Sequence, residues 1–137
     1  MKKPLSAPDL NREAKLKAFD RLLTVMDELR ENCPWDKKQT LESLRHLTIE
    51  ETYELSEAIV EGDMQEVKKE LGDVMLHLVF YSRIASEKKA FDMADVLNSI
   101  CDKLIERRQR RAGPELRRNP LAPGQSGHAC GCGGSGN

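Results

Sequence analysis

Glu50-Glu51-Thr52-Tyr53-Glu54 is followed, sixteen residues after Glu54, by Glu70-Leu71-Gly72-Asp73. Each stretch sets carboxylates three residues apart, a spacing that makes them neighbours on one face of a helix. Residues 50–73 hold nine acidic residues and two lysines, although the whole chain carries a formal net charge of −1. Such a concentration is either a solvated helical surface or a site for something positively charged. Spacing alone leaves both readings open.

Working outward, the flanking residues predict helices on both sides of a tight turn. Thr40 caps a helix that runs to about Glu61, with Leu44, Leu47, Glu51, Leu55 and Ala58 on one side. Gly62-Asp63 is the turn, and Asp63 with Glu66 reads as an N-terminal capping pair. The next helix runs from Met64 to about Lys88. A short connection makes these two helices antiparallel neighbours. Glu51, Glu54, Glu70 and Asp73 then sit at the edge of the buried stripe, while Glu57 and Glu61 fall outside. Upstream, Leu16, Phe19, Leu22, Leu23, Met26 and Leu29 form one apolar face and mark a first helix from about Asp9 to Glu31. Residues 32–40 read as a loop broken by Pro34. Downstream, Asp92 and Asp95 open a last helix that fades near Ala112-Gly113-Pro114. The expected fold is all-α, a four-helix bundle over residues 9–112 with a flexible, disordered tail over 113–137. Residues 74–81 are apolar on more than one side, which predicts a subunit interface and a dimer or higher homo-oligomer.

Composition fits this picture. The 137 residues are 39% hydrophobic, 33% charged and only 4% aromatic. That balance suits a helical domain better than a sandwich or barrel. The near-neutral charge implies no general affinity for nucleic acid or anionic membrane. No run of eighteen apolar residues is present, so no membrane span is expected. The basic start Met1-Lys2-Lys3 is not followed by a long apolar region, and no signal peptide is expected. Cys33 and Cys101 lie in the body, Cys130 and Cys132 in the glycine-rich end. This is not an extracellular disulfide framework, and a cytoplasmic location is expected.

Four inward-leaning carboxylates repel one another unless a cation joins them. Magnesium suits an all-oxygen donor set and keeps waters for a phosphate substrate. Two such ions could activate a water and neutralise phosphoryl charge. A di-iron bundle would want Glu-x-x-His pairs, whereas here Glu70 is followed by Asp73, and His77 comes a turn later. His77 is expected to pack or to hydrogen-bond rather than to bind metal, and His46 to be surface.

In this order, with Cys33-Pro34-Trp35-Asp36 ahead of them, these segments resemble the MazG family of nucleoside triphosphate pyrophosphohydrolases. The resemblance covers roughly residues 19–104 and rests on "DRLLTVMDELRENCPWDKKQT", "LTIEETYELSEAI" and "KKELGDVMLHLVFYSRIA". It implies an all-helical, magnesium-binding dimer that cleaves nucleoside triphosphates between the α and β phosphates. It assigns Glu51, Glu54, Glu70 and Asp73 as metal ligands and Glu50 as a supporting or water-positioning acid. Lys103 and Arg107, four residues apart, become candidates for triphosphate contact; as bare sequence they are also a favourable basic helix end. Trp35 either lines the nucleobase side of a cleft or plugs the bundle end. Lys37 and Lys38 are further phosphate candidates or simply flank an exposed loop.

Two departures from the family pattern stand out. Arg107-Arg108-Gln109-Arg110-Arg111-Ala112-Gly113 replaces the usual Arg-His-Pro-His-Val-Phe-Gly ending. The chain also carries one such domain where many bacterial members carry two. Both keep an alternative open, that of a weakly active helical dimer serving as a regulatory or interaction module. The arginines of residues 107–118 lack a nucleic-acid reading motif. His128, Cys130 and Cys132 fall one ligand short of a usual zinc site.

Overall fold

The computed structural model describes residues 10–112. Five helices follow one another there: α1 (Arg12–Asn32), α2 (Pro34–Lys37), α3 (Leu41–Glu61), α4 (Met64–Glu87) and α5 (Met93–Arg111). The described residues contain no strand, and the architecture is an all-α helical bundle. The stretch 113–137, including the arginines at 117 and 118 and His128, Cys130 and Cys132, lies outside the described residues. The chain divides into two compact units, one ending at Val96 and one beginning at Leu97.

Local chemistry sets the ends of the helices. At the end of α1 the Cys33 N–H donates to the Leu29 carbonyl at 2.9 Å, and Cys33 itself is extended. A residue before proline is pushed out of the helical region, which explains the break. Residues 32–40 are more ordered than the loop expected for them: α2 forms a single turn within them. Pro34 starts α2, where its fixed φ and missing N–H suit a first helical position, and Asp36 supplies the favourable acid of a first turn. Thr40 closes a reciprocal cap on α3. Its hydroxyl accepts from the Ser43 N–H at 3.1 Å, and the Ser43 hydroxyl accepts from the Thr40 N–H at 2.8 Å. Gly62 ends α3 at φ 74°, a left-handed conformation that glycine adopts without strain. Asp63 then caps α4 through the N–H groups of Gln65 and Glu66. Asp92 and Asp95 cap the start of α5 reciprocally, at 3.0 and 2.9 Å.

In the first unit, α3 packs along α4, and α1 packs against α4 and α2. The core joins Met26, Leu44, Val79, Phe80 and Ile84, with Phe19, Leu22, Leu23, Leu41, Leu47, Leu76, Tyr81 and Met93 packed on it. Burying such side chains contributes roughly 1.5–3 kcal/mol each. Leu16 does not join the stripe expected of it. It is 61% exposed, one turn short of the cluster that begins at Phe19. The doubly apolar segment of α4 divides cleanly. Val79 and Phe80 face the core, while Met75 and Leu78 continue an exposed line that starts at Leu71. In the second unit, Leu97, Ile100 and Leu104 are also exposed. Among the described residues, no helix is long and apolar enough to cross a membrane.

Candidate metal centre

The inner side of α3 is built by Leu44 and Ala58, both buried, with Leu47 and Leu55 between them. Glu51 shares that side. The two-residue turn at Gly62 and Asp63 folds α4 back along α3, so Glu70 and Asp73 come to meet it. One carboxylate oxygen each from Glu51, Glu70 and Asp73 lie within 4.8 Å of one another. Glu70 is buried, and Glu51 and Asp73 are half-buried. Glu54, placed with them from the sequence, is exposed on α3 and is not part of this close group. Glu50, Glu57 and Glu61 are exposed as well.

The three acids are electrostatically unfavourable as they stand. Burial first, then the charges of Asp73 and Glu54, push the Glu51 carboxyl above its ordinary range. A hydrogen bond with Glu70, available when Glu51 is protonated, and the Glu70 charge act in the same direction. Oε2 of Glu51 and Oε2 of Glu70 are both buried without a hydrogen-bond partner. Orphaned buried oxygens cost about 1–3 kcal/mol each, and more when charged. The other Glu70 oxygen takes the Lys69 ammonium at 3.4 Å, and Lys69 also approaches Glu66 at 3.7 Å. Lys69 leaves the two Oε2 atoms unserved. A hard divalent cation takes oxygen donors, so it would satisfy both atoms and cancel the repulsion. The residues present fit such an ion.

A polar chain lies one turn further along α4. His77 is buried, and its Nδ1 is 3.0 Å from Thr48 Oγ1, which also contacts the Tyr81 hydroxyl. Thr48 donates its own hydrogen to the Leu44 carbonyl at 3.1 Å. One hydroxyl thus joins the His77 ring, the Tyr81 hydroxyl and the Leu44 carbonyl. Burial lowers the His77 pKa, opposed by the Asp73 charge. His77 stands outside the group of three acids and serves as a packed, hydrogen-bonded neighbour, as its position after Asp73 suggests. Thr48 and Tyr81 escaped the sequence reading. Thr48 precedes Glu51 by three residues and Tyr81 follows His77 by four, but this signal has meaning only once the two helices are paired.

The remaining candidates are exposed. Trp35 lies on α2, and Lys37 and Lys38 follow at its end. Lys103 and Arg107 belong to the second unit, on α5. His46 is on the surface, and Cys33 and Cys101 are free thiols.

Residues 39–112 match the model of the MazG nucleotide pyrophosphohydrolase domain. Among curated proteins, the nucleoside triphosphate pyrophosphohydrolase/pyrophosphatase MazG of Thermotoga maritima is 50% identical over 91 residues, covering 65% of this chain and 36% of that protein. The nucleoside triphosphate pyrophosphohydrolase of Escherichia coli K12 is 45% identical over 92 residues, covering 65% and 35%. The chain thus spans about a third of the length of these relatives. The crystal structure of a MazG-related protein from Thermotoga maritima superposes with a TM-score of 0.59 at 25% identity, covering 65% of this chain and 78% of that one. With the paired acidic segments meeting between α3 and α4, and with the domain model matched from just before α3 to the end of α5, the chain belongs to the MazG nucleotide pyrophosphohydrolase domain family.

Proposed function

We propose that this chain hydrolyses nucleoside triphosphates at the α–β phosphate bond, releasing a nucleoside monophosphate and pyrophosphate. The observation that carries this reading is the convergence of Glu51, Glu70 and Asp73, with two buried carboxylate oxygens lacking any donor. These three residues would hold magnesium, with Glu54 as a fourth ligand reached by rotation of its exposed side chain. Bound there, the ion would make a water more acidic and neutralise charge on the phosphates.

The chain's own residues supply the rest. Glu50, exposed next to Glu51, orients the attacking water, whose oxygen bonds to the α-phosphorus as the bridging bond to the β-phosphate breaks. Lys37 and Lys38 bind the polyphosphate, and Trp35 meets the base. His77, fixed by Thr48, braces α4 behind Asp73. The exposed line of Leu71, Met75 and Leu78 supports a homodimer, since three large apolar side chains at helical spacing form a patch suited to a partner. Free thiols at Cys33 and Cys101 support a reducing, cytoplasmic setting.

The test is pyrophosphate release from a mixed pool of nucleoside triphosphates, with magnesium titrated. The expected result is turnover that appears with magnesium, disappears with chelator and yields monophosphate, without diphosphate. Release of orthophosphate and diphosphate would reject the proposed bond. Absence of turnover beside a retained magnesium-induced rise in melting temperature would favour a regulatory module.

A further inference from the structure

Arg30 stands in the last turn of α1 with its side chain only 13% exposed. Its Nε donates to both carboxylate oxygens of Glu87, at 2.9 and 3.0 Å. Its Nη1 donates to three carbonyls, those of Asp36 at 2.7 Å, Lys37 at 3.0 Å and Gln39 at 2.9 Å. The guanidinium also lies 5.9 Å from the centroid of the buried Phe80 ring. One side chain therefore ties the end of α2 to the end of α4.

A four-residue helix has no stability of its own, and its final carbonyls lack intrahelical donors. Arg30 supplies those donors from a buried, fixed position. Gln39 adds a further bond, its amide donating to the Trp35 carbonyl at 3.0 Å. The segment so braced presents Trp35, the single tryptophan of the chain, 58% exposed. A large aromatic ring is held toward solvent by a backbone with little freedom left. Exposed Lys37 and Lys38 stand beside it. A ring carried on an anchored backbone and flanked by cations suits a planar, anionic ligand, because stacking then requires less ordering of the chain.

We propose that the Arg30–Glu87 pair is a positioning device that holds Trp35 as a stacking face for the base of the bound nucleotide. The ligand class rests on the hydrolase reading above. Lysine in place of Arg30 keeps the charge but cannot serve Glu87 and three carbonyls at once.

The test uses the full chain and the emission of Trp35, read during titration with a triphosphate analogue whose α–β bridge is a methylene group. Inorganic tripolyphosphate is the parallel probe. Wild type is expected to show saturable quenching by the nucleotide and none by tripolyphosphate. R30K is expected to weaken nucleotide binding on the order of tenfold, the size of one lost stacking contact. Its tripolyphosphate affinity, read by competition, should fall less, because Lys37 and Lys38 keep their charge when the segment loosens. E87Q retains the three carbonyl bonds and should fall between the two, which keeps the test usable if R30K does not fold. Equal weakening for both ligands, or for neither, would overturn the proposal. So would Trp35 emission that ignores nucleotide and changes on protein dilution, which would assign the ring to an interface between copies. Quenching and an R30K defect without any hydrolysis would support the positioning role while rejecting the hydrolase reading.

Discussion

Glu51 on α3 and Glu70 on α4 each keep one carboxylate oxygen buried and without a hydrogen-bond partner, in a group of acids that also takes in Asp73. Neither helix needs this arrangement for its own stability, because apolar residues would pack the same seam at lower cost. Facing acids with orphaned oxygens mark a place where the fold accepts electrostatic strain, as the proposed cation site requires.

That strain has a sign that can be measured. The Glu51 carboxyl is raised by burial and by neighbouring acids. The folded chain therefore binds this proton more tightly than the unfolded chain does, and metal-free stability falls as pH rises from the ordinary carboxylate range through the raised value. E51Q should remove that fall and melt higher than wild type in chelator at pH 8. Relief of about 1 kcal/mol corresponds to about 4–8 °C for a domain of this size. Melting curves across pH in the presence of chelator provide the check. A lower midpoint for E51Q at pH 8 would mean that the acid is stabilising.

Much of this site could be read before any coordinates. Leu44, Leu47, Leu55 and Ala58 set the inner side of α3, and Glu51 shares their register, so its inward lean follows from periodicity. Gly62-Asp63 fixed the antiparallel return. Glu54 was harder, because a residue three positions from Glu51 can lie at the rim of a stripe without joining the group within it. The α2 turn was missed because its stability comes from Arg30, which is distant from Glu87 in sequence and gives no local signal. Thr48 and Tyr81 were missed for the same reason, since their partner lies across the helix pair.

The Thr48 hydroxyl gathers His77, Tyr81 and the Leu44 carbonyl. T48V should destabilise the fold by about 1–3 kcal/mol, because the His77 ring nitrogen and the Tyr81 hydroxyl would then face a methyl group. T52V is the control; Thr52 is exposed and bonds only to the Thr48 carbonyl, at 2.8 Å. Denaturant unfolding of both variants compares them directly. Equal stability in the two would show that the buried chain contributes nothing.

Leu71, Met75 and Leu78 are exposed along one line of α4. If the proposed homodimer uses this line, placing charge there, as in L78E, should shift it to monomer at micromolar concentration while leaving its helical content unchanged. Sedimentation velocity beside circular dichroism reads both. An unchanged dimer would move the interface elsewhere.

Arg30 holds the Glu87 carboxyl below its usual range, chiefly through their hydrogen bond. A lowered folded-state pKa adds stability above the unfolded value, and this is lost as pH falls through the folded value. The anchorage of α2 should accordingly loosen on the acid side, below the ordinary carboxylate range. Trp35 emission followed from pH 6 to pH 2 should show this step before global unfolding, and E87Q should lack it.

The central claim is that the acids between α3 and α4 hold the magnesium used in triphosphate cleavage. Its most direct measurement is pyrophosphate release by E54A, D73A and E57A as magnesium is titrated, with melting curves taken alongside. Glu57 is an exposed acid on the same helix as Glu54 and serves as the matched control. The account predicts near-zero turnover for E54A and D73A, and near wild-type turnover for E57A. The magnesium-induced rise in melting temperature should be lost in the first two alone. Equal activity and equal magnesium response in all three variants would contradict it, and the acidic seam would then be a charged surface with no ion to hold.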